Sequence, residues 1–139
     1  MVRNAYWPID YIKLHVITAQ NVCAHTPNPL EFLKGIKQSL LPNGTAYIQT
    51  SQSQMYQRNE FDTTYHEHIS FFSANSMKTL AERAGLVLTD IHITPIHGDS
   101  YVFILKHPGA EVMDSVQNTI DKEAKEYRHD IGFYQMFGN

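Results

Sequence analysis

Cysteine is almost absent: Cys23 is the single one in 139 residues. That excludes an internal disulfide and a Cys-rich zinc site, and it makes a reduced, cytoplasmic setting the expectation. No apolar run reaches the roughly 20 residues that a membrane-spanning helix needs. The N-terminus also lacks the basic-then-apolar layout of a secretory signal. Charge is sparse, at 18% of residues, and the formal net charge is −3. Nothing in that balance would capture nucleic acid or a membrane surface. Internal repeats and low-complexity tracts are missing as well. What remains has an ordinary apolar content of 42% and a length suited to one globular domain.

The densest chemistry lies in Asn59-Glu60-Phe61-Asp62-Thr63-Thr64-Tyr65-His66-Glu67-His68-Ile69-Ser70-Phe71-Phe72. Imidazoles, carboxylates, a phenol and two Thr hydroxyls crowd together with no hydrophobic period to explain them. As a strand, Tyr65, Glu67 and Ile69 would face one side and His66, His68 and Ser70 the other. As a helix they would spread around the cylinder. On residue type alone two readings stand. The run is either a His-rich surface connector with one satisfied core histidine, or a small polar pocket walled by the adjoining aromatics.

Around this run the pattern alternates between short strands and amphipathic helices. Residues 1–13 are mixed and interrupted by Pro8, hence irregular. Leu14–Gln20, with β-branched Val16, Ile17 and Thr18, reads as a strand buried in a parallel sheet. Asn21-Val22-Cys23-Ala24-His25-Thr26-Pro27-Asn28-Pro29 reads as a loop. Ligands of doubly wound sheets sit at the carboxyl ends of strands, so His25 is better placed for function than a histidine elsewhere, although polar loop residues are common. Asn28 as N-cap and Pro29 at the first helical position open a helix. Its stripe is Leu30, Leu33, Ile36, Lys37 and Leu40, and Pro42-Asn43-Gly44 is expected to terminate it as a turn. Thr45–Thr50 is the next strand, completing a right-handed parallel crossover.

Ser51–Arg58 is a polar connection into the dense run. Ser73 caps a further helix with Met77, Leu80, Ala81 and Ala84 on its apolar face, and Gly85 stops it. Leu86–Thr94 and Tyr101–Lys106 form an antiparallel pair around the turn Pro95–Ser100. After the break at His107-Pro108-Gly109, a helix is predicted from Ala110 to Tyr127, with Val112, Val116, Ile120 and Ala124 on one side. The ending, residues 132–139, is aromatic with no evident core to join. It is expected to fold back or to be covered by something else.

Together these residues resemble a known family. The order strand, Asn-Val-x-Ala-His loop, helix, Leu-Leu-Pro-Asn-Gly turn, strand, helix, Ala-Gly-Leu and antiparallel pair is similar to the second half of a class I S-adenosylmethionine-dependent methyltransferase. More narrowly, Asn21–His25, the Asn59–Phe72 run and Pro95-Ile96-His97-Gly98-Asp99-Ser100 resemble the sugar C-methyltransferases, which act on keto-deoxysugars attached to a nucleoside diphosphate. The resemblance spans roughly Leu14 to Lys106. It implies an α/β fold, the second half of a Rossmann-like sheet, with Tyr101–Lys106 inserted beside Thr45–Thr50. The implied division is an irregular lead-in at 1–13, a partial methyltransferase domain at 14–107 and, at 108–139, a helical lead-in to an absent domain. Such enzymes grip S-adenosylmethionine through a Gly-rich loop after their first strand. No G-x-G pattern occurs in this chain, so no cofactor-contacting residue is assigned. The resemblance therefore implies a fragment, a truncated gene product or one piece of a split enzyme whose complementary chain carries the N-terminal half.

The implied chemistry is physically coherent. Methylating carbon requires an enolate or carbanion, so a base must remove the proton beside a ketone. Histidine, with a reference pKa of about 6.5, suits that task near neutral pH. By resemblance His68 is the base, Tyr65 stabilises the enolate oxygen, and His25 assists from the opposite loop. Glu67, His66, His97 and Asn21 are assigned to the substrate. Two other classes stay open. His25, His66, His68 and His97 would suit zinc, but without a fixed ligand spacing such as H-E-x-x-H, and no metal is assigned. A non-catalytic remnant or binding subunit is the other.

Overall fold

The computed structural model describes residues 13–50, 69–95 and 100–126. The polar connection and the run through His68, the turn residues 96–99, the lead-in 1–12 and the aromatic ending lie outside these described residues. Four strands form one sheet, in the order β1-β2-β4-β3. They are β1 (Leu14–Gln20), β2 (Leu40–Thr50), β3 (Val87–Thr94) and β4 (Ser100–Lys106). β1 and β2 are parallel, while β4 runs antiparallel to both β2 and β3. The expected insertion of the last strand beside the second is therefore what the chain does.

The helices are α1 (Pro29–Ser39), α2 (Ala74–Ala84) and α3 (Asp114–Lys125). Period-two alternation puts Ala46 and Ile48 of β2 on the same face as Tyr101, Phe103 and Leu105 of β4, all nearly inaccessible to water. Leu33 and Ile36 of α1, Met77 and Ala81 of α2 and Val116 of α3 close over that face. The opposite face, among the described residues, leaves Val16 56% and Tyr47 38% exposed, with Thr18 and Gln20 exposed beside them.

Local chemistry sets the helix ends. The Asn28 side chain accepts from the Glu31 N–H at 3.2 Å, with Pro29 following. Ser73 and Ser76 exchange reciprocal bonds of 3.1 and 2.9 Å as a capping box. Gly85 ends α2 at φ 80°, and the Leu86 N–H returns to the Ala81 carbonyl at 2.9 Å. The left-handed conformation there favours glycine.

Three expectations need correction. Pro42-Asn43-Gly44 is not a separate turn after the helix. α1 stops at Ser39, and β2 already starts at Leu40, which pairs with Leu14 before the register jumps to Val16 opposite Thr45. The irregularity is possible because Gly44 has no side chain: a Cβ there would lie 2.7 Å from Leu40 Cδ1 and 2.9 Å from the Leu14 carbonyl oxygen. Second, α3 begins at Asp114, not at Ala110. Thr89 is an extra residue in β3, between Leu88 and Asp90 in the register, and its freed carbonyl accepts the Met113 N–H at 2.8 Å. That bond holds the chain extended up to the helix, leaving Val112 half exposed. Third, Ala124 is exposed while Glu123 is buried. The inner face runs Val116, Ile120, Glu123, a regular helical stripe completed by a carboxylate.

α3 is tied to the sheet at its start too. Asp90 accepts from the Ser115 hydroxyl, from the Ile91 N–H at 2.8 Å and from His92 Nε2 at 2.8 Å. Burial pushes this carboxyl up, but the bonds from Ser115, His92 and Ile91 together outweigh it and hold Asp90 below its ordinary value.

Gly44→Ala should destabilise the chain by about 1–3 kcal/mol, because the added methyl meets backbone as well as side chain; urea unfolding measures it. A lowered carboxylate contributes stability that is present above its unfolded pKa of about 3.9 and is lost as pH falls through the folded value. Asp90→Asn should therefore flatten the acid limb of a stability-versus-pH curve below about pH 4, as thermal melts across that range would show.

Candidate active site

β1 and β2 finish level, with Gln20 opposite Gln49. Beyond that pair the Asn21 N–H still donates to the Gln49 carbonyl at 3.1 Å, while Asn21 itself takes φ 55°. Asparagine is among the few residues that tolerate this conformation. It turns the chain sharply off the sheet's carboxyl edge. A single 3₁₀ turn, Cys23–His25, follows, closed by the His25 N–H on the Val22 carbonyl at 3.0 Å. Cys23 and Ala24 are buried and His25 is half-buried.

The Ala24 carbonyl accepts two bonds, from the Ile69 N–H at 2.9 Å and the Ser70 N–H at 3.1 Å. Ile69 is the residue after His68. The loop carrying His25 and the end of the dense polar run are thus stitched together directly. Tyr65, His66, Glu67, His68 and His97 themselves lie outside the described residues. The flanks of both segments nonetheless reach one edge of the sheet. β2 ends there at Thr50, which pairs with Tyr101. The last pair of the β3–β4 hairpin, Thr94 with Ser100, lies beyond it and brackets the turn that contains His97.

Two residues at this edge escaped the sequence reading. Gln49 and Thr50 are both buried, and among the described residues Gln49 Nε2 and Thr50 Oγ1 have no hydrogen-bond partner. Buried polar groups in native proteins are almost always paired, so two consecutive exceptions at a strand's carboxyl end are informative. The available signal was a pair of polar residues following the apolar Ala46-Tyr47-Ile48 run of the strand. Cys23 can be set aside as a nucleophile, since burial pushes its thiol up to about 12. Among the described residues no group of three or more His, Cys, Asp or Glu side chains could hold a metal ion, and no helix is long and apolar enough to cross a membrane.

Thr50→Val keeps the shape of the side chain and removes a buried hydroxyl that has no partner among the described residues. The chain should melt at the same temperature or higher, with a gain of up to about 1 kcal/mol, measurable by calorimetry.

Comparison with known proteins places this geometry. Residues 12–91 match the family model described as a methyltransferase domain. Over 117 residues the chain is 34% identical to the C-methyltransferase NovU of Streptomyces niveus, covering 82% of this chain and 28% of that protein. The chain therefore spans less than a third of the length of that relative. Among solved structures, it superposes on LepI in complex with SAM with a TM-score of 0.56 at 12% identity, over 69% of this chain and 27% of LepI. The mitomycin 7-O-methyltransferase MmcR gives 0.53 at 12% identity, over 68% and 30%. The CMeT domain of the citrinin polyketide synthase gives 0.52 at 18% identity, over 73% and 30%. At such identities these structures speak for the fold alone, and they agree with the mixed sheet described above. With more than half of its residues matched by the family model, the chain belongs to the methyltransferase-domain family.

Proposed function

We propose that this chain is the acceptor-side part of an S-adenosylmethionine-dependent C-methyltransferase acting on a keto-deoxysugar linked to a nucleoside diphosphate. The observation that carries the proposal is the pair of hydrogen bonds that the Ile69 and Ser70 N–H groups donate to the Ala24 carbonyl. It joins the His25 loop to Ile69 and Ser70, the residues that directly follow the Tyr65–His68 run, although the two lie far apart in sequence. Similarity to a C-methyltransferase supports carbon as the methylated atom.

In this scheme His68 removes the proton next to the sugar ketone. Tyr65 donates to the enolate oxygen as charge develops, where a well-placed donor is most effective. His25, half-buried on its 3₁₀ turn, assists from the other side, and Glu67, His66, His97 and Asn21 hold the sugar nucleotide. S-adenosylmethionine supplies the methyl group when bound. The residues described do not form a Gly-rich cradle for it: the loop that leaves parallel strand β1, Asn21–Asn28, contains no glycine. The grip on the cofactor is assigned to a Gly-rich half outside this chain, on the same polypeptide or a complementary one. The exposed face around Val16 and Tyr47 favours such a partner, because sheets with parallel pairs are ordinarily covered on both sides. A subunit that binds without catalysing is the second reading, favoured by the same exposed face.

The test uses the chain assembled with a Gly-rich methyltransferase half. His68→Ala should lower both methyl transfer and exchange of the sugar's acidic C–H into deuterated water by roughly 10²–10⁴-fold, with cofactor affinity nearly unchanged. Exchange at the parent rate would remove His68 as the base and pass the role to His25 or His66.

A further inference from the structure

Glu123 is wholly buried, although it lies on the helix predicted to lead away from the domain and beyond the residues matched by the family model. Both of its carboxylate oxygens sit 3.0 Å from the Ala74 N–H, and Oε1 accepts the Tyr101 hydroxyl at 2.9 Å. An apolar residue at this position would have continued the stripe of Val116 and Ile120 at no electrostatic cost. A carboxylate withdrawn from water is costly unless its lone pairs are used.

Ala74 is the first residue of α2, where backbone N–H groups lack intrahelical partners and negative charge is favoured. The neighbouring capping box already occupies the Ser73 and Ser76 hydroxyls, so Glu123 adds a second cap from another element. The segment between these points is short. Ile69 and Ser70 are bonded to Ala24, Phe72 is buried in the core, and Ala74 is bonded to Glu123. The backbone immediately following His68 is thus held at both ends and plugged in the middle.

We infer that Glu123 is a positioning residue: by pinning Ala74 and Tyr101 it fixes where the segment after the Tyr65–His68 run leaves the site, and so keeps Ile69 and Ser70 on the carbonyl beside His25. The consequence for turnover rests on the function proposed above, whereas the mechanical coupling does not.

The experiment uses the chain as it stands. Amide hydrogen exchange is followed at Ile69, Ser70 and Ala74, with the strand amides of Ala19 and Ile48 as internal references and the unfolding midpoint recorded alongside. Glu123→Leu should speed exchange about tenfold at Ala74, and by a comparable factor at Ile69 and Ser70, while the strand amides keep their protection. Glu123→Gln, which retains the shape and one acceptor oxygen, should show smaller changes in the same direction at the same three amides. Unchanged exchange at Ile69 and Ser70, in either variant, would reduce Glu123 to a local helix cap and overturn the inference. If the leucine variant does not fold, the glutamine variant decides. In the assembled enzyme, Glu123→Gln should lower kcat with the KM for cofactor unchanged. Faster exchange at Ile69 and Ser70 with kcat unmoved would leave the coupling intact and count against the run as the catalytic segment.

Discussion

The antiparallel pairing of β2 with β4 is the constraint on which the rest depends. It sets Thr50 beside Tyr101, and so brings the last pair of the β3–β4 hairpin, Thr94 with Ser100, to the edge where β1 and β2 end. It also aims the Tyr101 ring into the core, edge-on to Phe103 at 5.4 Å, with the hydroxyl reaching Glu123. A sheet that placed β4 outside β3 would keep every local element and lose this convergence. Carboxyl ends, last hairpin pair and capped helix come together because one strand is threaded between two that precede it in sequence.

Much of this was legible in the residues. Asn28, Pro29, Ser73 and Gly85 mark helix ends through local hydrogen bonding and backbone freedom, and local chemistry survives the move from sequence to structure. The alternation of strands and helices pointed to the parallel crossover, and the family resemblance supplied the strand order. What could not be read depended on distant partners. Leu40 fits a helical stripe equally well, and only its pairing with Leu14 makes it a strand residue. Nothing in the run Leu86-Val87-Leu88-Thr89-Asp90 marks Thr89 as an extra residue, because a bulge is defined by the opposite strand. Glu123 reads as solvated by type, since buried glutamates are rare, and its burial depends on donors supplied by other elements, the Ala74 N–H and the Tyr101 hydroxyl among them. The position of His25 on the loop at the sheet's carboxyl edge was legible from its place after β1. Gln49 and Thr50 were passed over because strand residues are assumed to pack.

The described helices all bear on one face of the sheet, yet the residues that terminate β1 and β2 are shared by both faces. Gln49 lies on the face of Thr18 and Tyr47, whereas Thr50 faces Tyr101. The edge proposed to handle the sugar is therefore also the border between a covered layer and an exposed one. A partner docking on the exposed layer around Val16 and Tyr47 would come to lie beside the buried Gln49.

Threading β4 between earlier strands has a consequence for biosynthesis. As the chain emerges from the ribosome, β1 and β2 can pair once Thr50 has appeared, but the other edge of β2 has no neighbour until Lys106 is made. At roughly 5–20 residues per second, that edge waits for several seconds, with Ile48 and the free backbone groups of β2 open to any extended segment nearby. Ala74 in turn waits for Glu123, which lies 49 residues further along the chain. The nascent polypeptide thus passes through a stage in which its central strand is half-paired, and chaperone protection matters most in the interval between translation of β2 and translation of α3.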